Sequence, residues 1–317
     1  MQPAMHRELE RAAIAAGEAV HAAKDGLARD AQDNARWKDE LKRRCLGGIR
    51  SGLEAALDAD VAVSFIETPY NTKSPGRGLG KNEMTCQLWR RGAATRTVTV
   101  LADIVDGSWN AACGLPWSAS TMLALSDVPK TPETLTLADF SCAAIVPMVG
   151  AVATPREPAG FYYGAKGQPP RYRLADGSAE WPLHATAVED VGHTRLFLDL
   201  FTAERYEELA VSITAVARLM HDWGDIGRFY GAGMELMALL ARPGTTPGFG
   251  GYVAASQKAD NLIPTKMLLE GAGVIVSDWW GGAIDTMKIM DRRYVAIAAN
   301  PALHRHLLGH LSLTRLP

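Results

Sequence analysis

Two carboxylates three positions apart, Asp103 and Asp106, stand at the end of an apolar, β-branched run and are followed by Gly107 and Ser108. Carboxylates supply both the oxygen ligands and the compensating charge that a hard divalent cation such as Mg²⁺ requires. A Gly-Ser pair lets backbone amides turn toward an anion. Asp103-Ile104-Val105-Asp106-Gly107-Ser108 therefore reads as a metal and phosphate site. It reads equally well as a strand entering an Asp-Gly hairpin turn, and spacing alone leaves the two level. Other groups carry weaker signals. His221, Asp222 and Asp225 suggest a second metal set, although a loop with an Asp cap before the next helix is preferred. His304, His306 and His310 crowd one terminal helix, where dipole contact and solvent exposure account for them. Gly231-Ala232-Gly-Met-Glu235 resembles a fragment of a dinucleotide loop but lacks a third glycine. Trp279-Trp280 suit a core or an interface better than a base-stacking platform.

These groups need elements to hold them. Leu9, Ala12, Ala13, Ala16, Val20 and Ala23 follow helical spacing with charges opposite, which predicts a helix over 5–25. Leu41, Cys45, Ile49, Leu53 and Leu57 repeat the stripe and predict a second over 36–58. Val61-Ala-Val-Ser-Phe-Ile66 predicts a strand that leaves Glu67 at its C-terminal end. Residues 71–81, with one proline and three glycines, are loop by composition. Strands are expected over 85–90 and 95–101, the second running straight into Asp103, and again over 117–126 and 140–152. Turn chemistry occupies 164–173. The second half predicts a strand over 195–200, helices over 207–220, 231–241 and 260–270, a loop over 243–251, strands over 274–278 and 294–298, and a closing helix over 301–311. No internal repeat interrupts this mixture.

Whole-chain composition restricts what these elements can serve. The 317 residues carry 33 Lys+Arg against 35 Asp+Glu, a formal net charge of −2. A nucleic-acid-coating or polybasic membrane-surface protein needs a positive surplus that is missing. With 47% hydrophobic and 21% charged residues, the chain is built for a packed core, as one large domain or two lobes. No stretch reaches the roughly 18 uncharged apolar residues of a membrane span. Residues 1–23 are broken by charges and show no signal-peptide core. The four cysteines, Cys45, Cys86, Cys113 and Cys142, form no CxxC pair, so neither a zinc cluster nor a disulfide framework is expected, and a reducing cytoplasm fits best.

Asp103-Ile-Val-Asp-Gly-Ser-Trp-Asn110 followed by Gly114-Leu-Pro-Trp-Ser118 resembles the signature of the inositol monophosphatase family, Asp-Pro-x-Asp-Gly-Thr-x-Asn before Gly-Phe-Pro-Phe. Ala259-Asp260-Asn261 with Glu270-Gly-Ala-Gly-Val274 is similar to the second signature, Trp-Asp then Glu-Ala-Gly-Gly. Ala298-Ala-Asn-Pro-Ala-Leu-His304 looks like the family's terminal strand and helix start. The resemblance implies an α/β (α+β) fold, the layered α-β-α-β-α sandwich of the inositol monophosphatase / fructose-1,6-bisphosphatase type. An N-terminal lobe over 1–180 would carry the main metal motif, and a C-terminal lobe over 181–317 would supply Asp260 and the pocket walls.

Carried over residue by residue, the resemblance implies metal ligation by Asp103, Asp106, Asp260 and the carbonyl of Ile104. Glu67 would hold a metal and the attacking water, with Glu83 as its competitor by spacing. The phosphate would rest on the amides of Gly107 and Ser108, with the Ser108 hydroxyl as relay, and Gly231 and Ala232 would lie near the substrate. Glu235 is then expected on a helix surface or pocket edge. Lys38 and Asp39 resemble residues that approach a third metal, although a solvated helix face is preferred. Ile104 stands where proline is usual, Ser108 where threonine is, and Ala259 where tryptophan is. The implied activity is Mg²⁺-dependent hydrolysis of a phosphate monoester of a small polyol, sugar or nucleotide, with two or three ions per site, in a lithium-sensitive homodimer. A fructose-1,6-bisphosphatase-like enzyme, a 3′-phosphoadenosine 5′-phosphate phosphatase and a catalytically silent sugar-phosphate-binding homologue are the alternatives. Lys73, Arg77, Lys81, Arg156 and Arg171 could meet a second phosphate, but exposed loop charge is the preferred reading of each.

Overall fold

A computed structural model describes residues 3–24, 34–67, 85–89, 93–107, 119–148, 159–199, 217–219, 221–223, 225–227, 232–245 and 249–311. Glu83, Ser108, Gly231, Lys73, Arg77, Lys81, Arg156 and Cys113 lie outside these residues, as do residues 207–216 of a predicted helix.

The two N-terminal stripes become α1 (Pro3–Lys24) and α2 (Asn34–Ala56). Leu9, Ala12, Ala13, Ala16 and Val20 on one, and Leu41, Cys45, Ile49 and Leu53 on the other, are all buried. Small residues let the two axes close up. A Cβ on Gly48 would sit 2.8 Å from the carbonyl oxygen of Ala19, so glycine is the side chain this antiparallel crossing admits.

Behind the hairpin lies an eight-stranded sheet of β1 (Val61–Glu67), β2 (Thr85–Trp89), β3 (Arg96–Asp106), β4 (Ser120–Ser126), β5 (Cys142–Pro147), β6 (Gly160–Ala165), β7 (Arg171–Leu174) and β8 (Glu180–Pro182). The strand order is β2-β1-β3-β4-β5-β6-β7-β8. β1 and β3 are parallel and the other neighbours antiparallel. The expected turn over 164–173 is narrower than its composition suggested, because β6 and β7 reach into it from both sides. Short β9 (His184–Ala185) follows, then β10 (Arg195–Asp199), β11 (Asp225–Gly227), α3 (Ala232–Met237) and β12 (Leu240–Ala241), which pairs with β9. The predicted helix over 231–241 thus splits in two. Leu236, Met237, Leu239, Leu240 and Ala241 are all buried, and an apolar run buried all round carries no period to tell helix from strand.

The chain finishes with β13 (Gly251–Lys258), α4 (Ala259–Gly271), β14 (Ile275–Asp278), β15 (Arg292–Ala298) and α5 (Pro301–Leu311). The second sheet has the order β11-β10-β13-β15-β14. Alternation along each strand sorts side chains into three cores. Phe65, Val100, Ala102 and Ile104 face α1 and α2. Ile66, Leu101 and Met122 face α3 and α4, and Phe197, Tyr252 and Ile297 meet those helices from the second sheet. Leu196, Val253, Ala296 and Ala298 point outward to Leu303 and Leu307 of α5. The result is five layers, α-β-α-β-α, as the resemblance implied. No described helix is long and apolar enough to cross a membrane.

Candidate functional site

A plain strand would put Asp103 and Asp106 on opposite faces, because side chains alternate with period 2. The pairing of β3 with β4 prevents this. Asp103 lies opposite Met122 and Asp106 opposite Ser120, so three steps on β3 match two on β4. The extra residue is a β-bulge, a device that re-aims side chains. Ile104 and Val105 both pack toward α1 and α2. Asp103 and Asp106 thereby share the face turned to α3 and α4. The connection from β3 to β4 spans residues 107–119, which disposes of a two-residue Asp-Gly hairpin. Gly107, at φ 67°, opens that connection in the left-handed region.

Two helix starts meet this face. The amide of Gly233, in the first turn of α3, donates to Asp106 Oδ2 at 2.9 Å. Glycine is needed there, since a Cβ would lie 2.6 Å from both Met122 Sδ and Ser120 Oγ. Ala232, the first residue of α3, is thereby placed next to the Asp106 contact. Asp260 sits in the first turn of α4, where a negative charge suits the helix dipole, and its Oδ1 accepts the Asn261 amide at 2.9 Å.

Three carboxylates from two sheet-helix layers so face the same space and feel one another's charge, with Asp106 and Asp260 both buried, although their oxygens do not all lie within 4.8 Å of one another. Burial, then the charges of Asp106 and Asp260, push the Asp103 carboxyl well above the ordinary range. Asp106 is raised to about 6, first by burial and then by Asp260 and Asp199, against the opposing hydrogen bond from Gly233. Asp260 is raised by burial, with Lys258 and Arg292 acting in the other direction. Acids held this way resist ionising together unless a cation joins them. All-oxygen donors of concentrated negative charge fit a hard divalent ion such as Mg²⁺.

The remaining predicted residues are placed less simply. Glu67 ends β1 as expected, but its carboxylate forms an ion pair with Lys42 of α2. Alternation gives the reason: Ile66, one residue earlier, faces the carboxylate side, which turns Glu67 toward the helical hairpin. The Ile104 carbonyl accepts the Thr121 hydroxyl at 2.6 Å, so a protein group already engages it. Asp39 is exposed. Glu235 is a correction. It is only 2% exposed, because α3 is a single short segment wedged between layers.

Asp199 and Tyr252 escaped the sequence reading. Asp199 ends β10 and adds its charge to the field at Asp106. The Tyr252 hydroxyl donates to Gln257 Oε1 at 2.9 Å and lies 3.5 Å from Asp199 Oδ2. Burial and the charges of Asp199, Glu235 and Asp106 hold that phenol far above its usual range, so it stays protonated. One signal was available: Asp199, like Glu67 and Asp106, is an acid closing an apolar strand.

The histidines also depart from expectation. His304 is buried rather than solvated, with Nε2 2.8 Å from Ser277 Oγ. Asp222 itself carries helical backbone, and its carboxylate meets His306 and His310. Trp279 is wholly buried, its indole donating to the Val295 carbonyl.

No protein-family model and no curated relative matches the sequence. Solved structures do. SuhB of Mycobacterium tuberculosis superposes with a TM-score of 0.60 at 16% identity, covering 99% of this chain and 98% of its own. The chain has the inositol monophosphatase fold. An inositol monophosphatase from Zymomonas mobilis gives a TM-score of 0.59 at 15% identity, covering 98% of both chains. SaIMPase-II with inositol monophosphate bound gives 0.58 at 10% identity, covering 98% of this chain and 94% of its own. SaIMPase-II is also similar in its complex with 2′AMP.

Proposed function

We propose that the protein is an inositol monophosphatase-like phosphatase that hydrolyses a phosphate monoester of a small polyol, sugar or nucleotide with Mg²⁺. The convergence of Asp103, Asp106 and Asp260, each held above the ordinary carboxylate range, carries this reading, since such charge is stabilised by cations and is concentrated at functional sites. The fold, shared with SaIMPase-II in its complexes with inositol monophosphate and with 2′AMP, supports the substrate class.

In this reading Asp103, Asp106 and Asp260 hold the ions, two or three in number. Glu67 joins them by exchanging Lys42. Bound there, Mg²⁺ supplies positive charge to the leaving oxygen and lowers the pKa of water. Gly107 and Ser108 offer amides to the phosphate, and the Ser108 hydroxyl relays a proton from the attacking water. Gly231 and Ala232 border the substrate. The Gly233 amide holds Oδ2 of Asp106 and the Gly107 amide also donates to this carboxylate, so an ion there would share Asp106 with two backbone donors. Cys45, Cys86 and Cys142 are free thiols, in keeping with the cytoplasmic location we assign; the homodimer rests on the family resemblance.

A phosphate-release assay over inositol 1-phosphate, fructose 1,6-bisphosphate, a sugar 1-phosphate and 3′-phosphoadenosine 5′-phosphate, with and without Mg²⁺, tests the reading. Metal-dependent turnover of at least one is expected. A silent sugar-phosphate-binding protein is the second reading, favoured by the Glu67–Lys42 ion pair and the engaged Ile104 carbonyl. Absence of metal-dependent turnover on the whole panel would favour it.

A further inference from the structure

Two features that look unrelated in the sequence meet on the outer side of the second sheet. His306 and His310 are one turn apart on α5, so their rings leave the same helix face, with centroids 4.8 Å apart. Asp222 arrives from the segment before β11. Its Oδ2 lies 3.3 Å from His306 Nε2 and 2.9 Å from His310 Nε2. One ligand atom from each of the three falls within 4.8 Å of the others.

Two further observations point into this cluster. His306 Nε2 is shut off from solvent and faces Asp222 Oδ2 across the long contact of 3.3 Å, so a buried ligand atom is aimed at the carboxylate without a close hydrogen bond of its own. His221 Nδ1 lies 2.8 Å from Asp222 Oδ1, the other carboxylate oxygen. That contact orients the carboxylate so that Oδ2 stays turned to the two imidazoles, the arrangement by which outer partners aim metal ligands.

The donors select the ion. Two imidazoles and one carboxylate suit a borderline transition metal, whereas Mg²⁺ prefers an all-oxygen shell. We propose that Asp222, His306 and His310 bind a zinc-class divalent ion that fastens the segment around Asp222 to α5. Three protein ligands leave the fourth tetrahedral position to water. Trp223 packs in the same core as Leu303 and Leu307 of α5, so the ion clamps elements that already touch. The site lies across the second sheet from Asp103, Asp106 and Asp260 and is independent of the proposed phosphatase activity.

The test is zinc titration calorimetry on chelator-treated full-length protein in saturating Mg²⁺, with X-ray absorption at the zinc edge. One tight equivalent with imidazole scatterers is expected in the wild type and equally in Asp103→Asn. His310→Gln should lose it. Asp222→Asn, which keeps the size of the side chain, should weaken it by more than the about 10- to 100-fold that removal of an outer partner costs. Both variants should melt with the wild type in chelator and lack its zinc-induced rise. If His310→Gln does not fold, Asp222→Asn and the absorption spectrum of the wild type decide alone. Zinc binding unchanged in both variants, zinc lost in Asp103→Asn instead, or no tight equivalent at all would overturn the proposal.

Discussion

Replacing Asp106 by Asn should make the metal-free protein more stable while removing the chemistry it serves. The Asp106 carboxyl rises from 3.8 to about 6 in the folded chain, equivalent to about 3 kcal/mol against its charged form. A carboxyl raised on folding favours the native state only while protonated, so its burden is full above about pH 6 and fades as pH falls toward the unfolded value. Asn keeps an oxygen to accept the Gly233 amide, which now meets Asp106 Oδ2 at 2.9 Å, and brings no charge. In chelator at pH 7.5 the variant should therefore gain about 3 kcal/mol, a melting midpoint higher by roughly 4–5 °C. At pH 4.5 the advantage should shrink to about 1 kcal/mol. Excess Mg²⁺ at neutral pH should raise the wild type more than the variant, because binding to the native state stabilises it by mass action. Differential scanning calorimetry at both pH values, with and without Mg²⁺, reads every part of this. A variant that melts below the wild type at pH 7.5, or a gap that does not change with pH, would refute the reading of Asp106 as a carboxyl raised on folding by burial and by the charges of Asp260 and Asp199.

Asp103→Asn should cut Mg²⁺-dependent phosphate release about a thousand-fold or more, ~4 kcal/mol on the barrier, with an unchanged circular dichroism spectrum; full activity removes Asp103 from the site. Gly233→Ala puts a Cβ 2.6 Å from Met122 Sδ and Ser120 Oγ, so a loss of about 1–3 kcal/mol is expected, together with weaker Mg²⁺ binding by titration as the amide moves off Asp106. Lys42→Ala frees Glu67 from a partly exposed ion pair. Its cost to stability should stay below about 1 kcal/mol, and Mg²⁺ affinity should rise; an unchanged affinity argues against Glu67 as the fourth carboxylate.

Elements with one buried face were legible in the sequence because their period was intact. The stripe Leu9, Ala12, Ala16, Val20 and the run Val61 to Ile66 each meet a single core, and α1 and β1 end within about two residues of expectation. The run over 233–241 was not legible, because burial on nearly every side erased the contrast that defines a period. β8 was missed for the opposite reason. Glu180, Trp181 and Pro182 are at most half-buried at a sheet edge, and a short edge strand has little apolar pattern to show.

The candidate site divides along the same physics. Asp103, Asp106 and Asp260 could be named from motifs, but no motif states that the first two share a face, since a regular strand would separate them. The bulge between Asp103 and Asp106 depends on what β4 presents, including the Thr121 hydroxyl that holds the Ile104 carbonyl at 2.6 Å. The same rule of alternation, without a bulge, turns Glu67 toward Lys42. A carboxylate at a strand end is thus only half a prediction; register decides which layer it serves. Asp199 shows the converse. It had no motif, yet its place at the end of β10 brings its charge to Asp106. The acids that meet here were selected by where strands stop and which way their last residues point, and that information belongs to the pairing of distant segments rather than to any one of them.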